Sequence, residues 1–486
     1  MAQQGGDQFY SALQQKAQDA VASIFKSPLL TIQYPSQGDF MWNWQNGSQI
    51  FNQATWDYIS AKIADGDYTG SAQLSSAGGY PNADVMILNS MAYTLSSANQ
   101  ALMIQTQANA SQQANTVVMD YQTTYGEITT AQMTAANVST KYDYVVAYIC
   151  GSVWSGATPP LSYSTMAGAR NLAALLPNRP PSSDQVITDV SIYLSMMQPV
   201  LALQDETQKG QWVLKCLKAN TQTPTLQNGG IKTVNPNTGA VSANYTDAFG
   251  INYSTQAISN DLQNTGRTIE LGMTTSSASG SQLSVHMDAQ AGFTVGSCVQ
   301  FAVSGGATYD ISTAAGTSTD MSITMTWAGY SMIPVAPLAW QQATNVGWFW
   351  IDAIIQAVAN TGKDVDGFHF VSTPPYNFGP LVSGGDFGLL TNLLIANYPT
   401  VSITYRNANY TSFKESWSEH VSGNLTLFGF IKLGSFSQGA YGSQFSQGSD
   451  NSTFTVTFSA SPQVISVPAL QQTAYVIAGA VDTVSK

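Results

Sequence analysis

A chain of 486 residues is long enough for two or three domains and can bury a core without disulfides or a cofactor to hold it. Only 9% of its residues are Asp, Glu, Lys or Arg, against about 25% in an ordinary soluble domain, while hydrophobic residues make up 44% and aromatics 11%. The net charge is −12 and no Lys or Arg lies between Arg267 and Lys363, which leaves no footprint for a phosphate backbone and excludes nucleic acid as a partner.

Gln, Asn, Ser, Thr and Gly stand where charges would be, so the expected surface is neutral and hydrogen-bonding. Contacts of such a surface with its own copies, with neutral lipid or with sugar desolvate few ions.

The first residues, MAQQGGDQFYSALQQKAQDAV, lack a basic segment followed by an apolar one, so no secretory signal peptide is expected. Residues 1–225 read as a bundle of long α-helices, opening with amphipathic stretches at 7–26 and 48–64. Between these lies QYPSQGDFMWNWQNG, where Trp42 and Trp44 sit among Pro and Gly as in a loop. After SAGGYP, Asn82 is a candidate N-cap for a long helix running to about residue 119, with Val85, Leu88, Ala92, Leu95 and Leu102 at helical spacing and no charge from Val85 to Met119. A further helix at 127–151 ends at WSGATPP. The next starts at Ser183, is kinked by Pro199 and continues to about Lys218.

At 226–250 the texture changes to Gly, Asn and Pro punctuation, which sets the expected boundary of a β-rich domain, 226–486. In STDMSITMTWAG, Met321, Ile323, Met325 and Trp327 alternate with Ser and Thr, as a strand with one buried face requires. Residues 298–303, 400–406 and 453–459 alternate in the same way and together predict a sandwich-like arrangement. An apolar helix is expected to be inserted at about 337–362, and the FSQG repeat at 436–439 and 445–448 reads as a mobile low-complexity loop. The fold class expected is α+β. The most apolar run, 346–359, is shorter than the ~18 residues of a membrane span and contains Asp352, so the chain is expected to be made soluble in the cytosol, with release allowing it to act outside the cell.

Motifs for chemistry are sparse. Cys150, Cys216 and Cys298 lie far apart with no zinc spacing, and no phosphate-binding glycine loop occurs, so neither a nucleotide nor another cofactor is expected. The best metal candidate is KDVDGFHF, where Asp364, Asp366 and His369 cluster beside Gly367, although the remaining positions of a calcium loop are missing. GSFSQG spaces its glycines too widely for a nucleophile elbow around Ser437. Trp42, Trp44, Trp348 and Trp350 are candidates for membrane or ligand contact, because an indole has an apolar body and a polar edge. The reading that follows is a non-enzymatic homo-oligomer acting on neutral lipid membranes or through a surface receptor, in the manner of a pore-forming toxin. The alternatives are a self-assembling filament, shell or lattice subunit, and a carbohydrate-binding protein.

Overall fold

The computed structural model describes residues 2–22, 29–30, 32–33, 40–41, 50–61, 63–64, 72–74, 78–149, 161–176, 179–235, 238–264, 266–275, 282–285, 291–294, 299–302, 308–310, 320–379, 385–420, 425–427, 431–432, 441–449, 452–460 and 473–483. It is an α+β protein with several antiparallel sheets. Its helices are α1 (Ala2–Val21), α2 (Gln53–Ile59), α3 (Gly79–Asn89), α4 (Ser97–Asn109), α5 (Ser111–Tyr125), α6 (Thr130–Ala135) and α7 (Lys141–Ile149). They continue with α8 (Tyr163–Ala167), α9 (Asp184–Met196), α10 (Leu201–Gln222), α11 (Thr255–Gln263), α12 (Ile351–Asn360) and α13 (Tyr410–His420).

The chain divides into two compact units, and neither is a continuous segment. One draws on Met1–Tyr80, Ile231–Pro337 and Phe378–Thr483, the other on Pro81–Gly230 and Leu338–Asn377. A single cut near residue 225 therefore does not describe the division: the first 80 residues join the sheets, and the apolar segment expected within the β-rich half joins the helices.

In the sheet unit, a seven-stranded antiparallel sheet has Thr268–Thr275, Asp320–Ala328, Thr400–Arg406 and Phe454–Ala460 at its centre and Tyr441–Gln447 at one edge. The alternation read from the sequence sets the faces. Met321, Ile323, Met325 and Trp327 are buried with Val401, Ile403, Phe454, Val456 and Phe458. The same core takes in Leu394, Ala396, Tyr475, Ile477 and Ala478 from a second sheet and Leu13, Ala17 and Val21 from α1, whose i, i+4 spacing gives the helix one apolar stripe. The opposite face of the seven-stranded sheet is a field of hydroxyls. Ser402 and Thr457 lie 3.1 Å apart and Thr404 and Thr455 2.8 Å apart, oxygen to oxygen. The second copy of FSQG, expected in a loop, belongs to the edge strand Tyr441–Gln447, where Phe445 packs against the core and draws the segment into register.

In the helical unit, α5, α7, α8, α9 and the start of α10 enclose a core of Val117, Tyr121, Val145, Val186, Val190, Tyr193 and Leu201, among others. Pro199 breaks the helix it interrupts, as expected: α9 and the segment Gln198–Gln222 are bent by 69°. No single helix among the described residues is long and apolar enough to cross a membrane.

Two long helices read from the sequence are not formed. The 82–119 helix is cut between α3 and α4 by an extended segment, Met91–Thr94, that pairs antiparallel with Gly367–Phe370, and again between α4 and α5 at Ala110. Ser90 ends α3 by donating from both its N–H and its hydroxyl to the Ile87 carbonyl, and its own carbonyl accepts from Val371. Pairing with a strand some 270 positions away outweighs local helical periodicity. The 337–362 helix shrinks to α12, because Asn345 and Gly347 adopt positive φ of 52° and 94° and fold residues 339–349 into a tight bridged turn.

Candidate functional site

The three residues of the metal candidate serve the backbone instead. Gly367–Phe370 follows α12 and is fixed by Gln356, whose Oε1 accepts from the Phe368 N–H at 3.0 Å, and by Asn360, which donates to the Phe368 carbonyl. Pairing with Met91–Thr94 then carries the preceding loop to the start of α4. There Asp366 accepts from the Ser96 N–H at 2.6 Å and from Asn99 Nδ2 at 2.5 Å, and Asp364 accepts from the Ser97 N–H at 2.7 Å. Ser96 makes no cap of its own, so the two carboxylates supply it from across the unit, at the end of the helix where negative charge is favoured. The Ser96 backbone bond holds the Asp366 carboxyl below the usual carboxylate range. His369 Nε2 donates to the Val365 carbonyl at 2.8 Å. Among the described residues no group of three His, Cys, Asp or Glu is placed to hold a metal ion.

The tryptophan candidates separate. Trp42 and Trp44 lie outside the described residues. Trp348 is 3% exposed and packs on Phe349, with ring centres 5.7 Å apart. Trp350, half-buried, belongs to a chain of rings running Trp212, Trp340, Trp350, Phe368, Tyr93 with neighbouring centres 5.4–5.9 Å apart. Both indoles at 348 and 350 are thus engaged in aromatic packing.

The helix that the carboxylates cap is unusual. Of α4's residues only Thr106 is buried, none is charged, and Leu102 and Ile104 are turned outward, Ile104 to 66% exposure. An exposed helix of a globular protein normally presents Lys, Arg or Glu outward and an apolar stripe inward; α4 presents apolar and amide side chains instead.

On its inner side α4 forms one wall of a cavity of about 320 Å³, contributing Met103 and Gln107, with Leu95 just before it. The other walls come from residues 136–140, from Asp143 of α7, Tyr163 of α8, and Gln204, Gln208, Gln211, Trp212 and Lys215 of α10. Gln204, Gln208, Gln211 and Lys215 recur at helical spacing, which in the sequence resembles an ordinary solvated face. Gln204 Oε1 and Trp212 Nε1 make no hydrogen bond, and both atoms are sealed from solvent behind the cavity wall. Asp143 accepts from the Thr140 hydroxyl at 2.6 Å, and burial pushes its carboxyl up to about 6. Nothing in the motif content of the sequence pointed here, because the lining is mixed polar and apolar side chains drawn from four separate segments.

Comparison with protein-family models, with curated proteins and with solved structures gives no match, so the site's own chemistry carries the functional reading.

Proposed function

We propose that this protein is a non-enzymatic, self-associating protein that acts on neutral lipid surfaces in the manner of pore-forming proteins, with α4 as its first contact. The observation that carries this reading is α4 itself, an uncharged helix with Leu102 and Ile104 exposed and a single buried residue. An element with so few buried contacts is among the first to leave its place, and transfer of an uncharged helix to an interface desolvates no ion. With a net charge of −12 the chain gains nothing from anionic lipid, so neutral lipid is the surface its electrostatics favour. In this reading the helical unit is the membrane-active bundle, and the two sheets around one core act as a β-sandwich that holds the oligomer together.

The test is size-exclusion chromatography with light scattering, run with and without neutral and anionic liposomes carrying a self-quenching dye. Lipid-dependent oligomers with dye release from neutral vesicles support the proposal; an inert monomer in every condition overturns it.

A second reading, a self-assembling structural subunit, has an observation of its own. Tyr441–Gln447 is an edge strand among the described residues and carries no charge or proline along its seven residues, so it lacks the usual devices that stop a second copy adding a strand. Polymers in lipid-free buffer with sealed vesicles would favour that reading.

A further inference from the structure

We propose that Tyr125 and Tyr148 form a site of oxidative cross-linking, where hydrogen peroxide activated by a haem peroxidase joins the two phenols as dityrosine and staples α5 to α7.

Four tyrosines of the helical unit meet in one place. Tyr121 and Tyr125 stand one turn apart on α5, and Tyr144 and Tyr148 one turn apart on α7, so each helix turns two rings to the same side. Across the two helices, the ring centre of Tyr121 lies 6.0 Å from that of Tyr144 and 5.0 Å from that of Tyr148, and the centres of Tyr125 and Tyr148 are 5.4 Å apart. The Tyr121 phenol is hydrogen-bonded to the phenols of Tyr144 and Tyr148.

Exposure and angle single out one pair. Tyr121 and Tyr144 are buried, whereas Tyr125 and Tyr148 are half-buried and reach solvent. Tyr121 meets the α7 rings at 89° and 86°, which sets the edge of one ring against the face of the other. Tyr125 and Tyr148 are inclined by only 50°, a tilt that lets two ring edges approach as they do in a twisted biphenol. The Tyr125 hydroxyl donates to the Pro181 carbonyl at 2.6 Å, which holds its ring in this position. Two reacting groups fixed side by side couple far faster than groups that must meet by diffusion.

In the reaction each phenol gives up one electron and one proton to the oxidant. The two phenoxyl radicals couple through one ring carbon each, ortho to the oxygen, and each displaced ring hydrogen moves to its own oxygen and restores the phenol. One C–C bond forms, two C–H bonds break, and one hydrogen peroxide is reduced to two waters. The link restricts the unfolded chain as other cross-links do. This site does not rest on any action at membranes.

The full chain would be treated with horseradish peroxidase and hydrogen peroxide over a range of protein dilutions, and the monomer isolated by size exclusion. The expected monomer shows dityrosine fluorescence, a mass lower by two hydrogens and a Tyr125–Tyr148 linked peptide, in a yield that does not fall on dilution. Tyr125→Phe and Tyr148→Phe should each lower monomer dityrosine at least tenfold with an unchanged circular dichroism spectrum, while Tyr245→Phe, in the sheet unit, should leave it unchanged. The cross-linked monomer should melt at a higher temperature than the untreated chain. A monomer without dityrosine, a link mapped to another pair, or the parent's yield in either folded variant would overturn the assignment.

Discussion

Asp366 accepts a hydrogen bond from the backbone N–H of Ser96 at 2.6 Å, which ties the loop after α12 to the first turn of α4 across 270 positions of sequence. Asp366→Asn keeps the size and removes the charge that this helix end favours. The expected cost is about 1 kcal/mol, the usual worth of a helix cap, with faster hydrogen exchange in residues 97–101. Because the folded-state carboxyl titrates below its unfolded value, its contribution is present above the unfolded value near 3.8 and is lost as pH falls below that towards the lower folded value. The difference in exchange between parent and variant should therefore shrink as pH is lowered below about 3.8.

Asp247 behaves in the opposite sense. Burial pushes its carboxyl up to about 7, while its backbone carbonyl accepts from the Trp56 indole N–H at 2.8 Å. With the folded value raised above the unfolded one, the stability this group contributes is complete below about pH 4 and is lost as pH rises through 7. Asp247→Asn should raise the melting temperature at pH 8, leave it nearly unchanged at pH 4, and flatten the curve between. A variant melting lower than the parent at pH 8 would contradict this origin of the shift.

Two glycines of the helical unit share a positive φ and differ in their surroundings. A Cβ on Gly347 would lie 2.2 Å from the Ala339 carbonyl oxygen, whereas one on Gly362 would meet nothing within 4 Å. Gly362→Ala should cost about 1–2 kcal/mol, the backbone penalty alone. Gly347→Ala should cost clearly more in a denaturant titration, because the bridged turn ahead of α12 must open as well.

Ile104→Glu tests the role proposed for α4. At 66% exposure the substitution should change stability by no more than about 0.5 kcal/mol, so a loss of dye release from neutral vesicles would report on the lipid contact alone. Unchanged release would remove α4 from the mechanism.

Cys216 is buried on α10 and takes no part in a disulfide, and burial pushes its thiol up to about 11. The thiolate is the reactive form, so mass-spectrometric mapping after treatment with a maleimide at pH 7.5 should find Cys216 unlabelled in the native chain and labelled in denaturant.

Much of the sheet unit was legible from alternation alone. Met321, Ile323, Met325 and Trp327 announce a strand with one buried face, and the structure buries that face. The candidate site was not legible in this way. Gln204, Gln208 and Gln211 look like a solvated helix face until the elements around α10 enclose them, and Asp364 and Asp366 look like metal ligands until pairing of Gly367–Phe370 with Met91–Thr94 delivers them to α4.

The sequence by itself determined the low charge, the strand faces, the break at Pro199 and the absence of nucleotide and zinc motifs, because each of these depends on residue type and near spacing. Only the tertiary structure decided where the long apolar periodicities end, which segments join each unit and what the polar helix face of α10 looks onto. Those outcomes depend on contacts between residues far apart in the chain, such as Ser96 with Asp366 and Asn220 with Gly347, whose energies exceed the local preferences that spacing expresses.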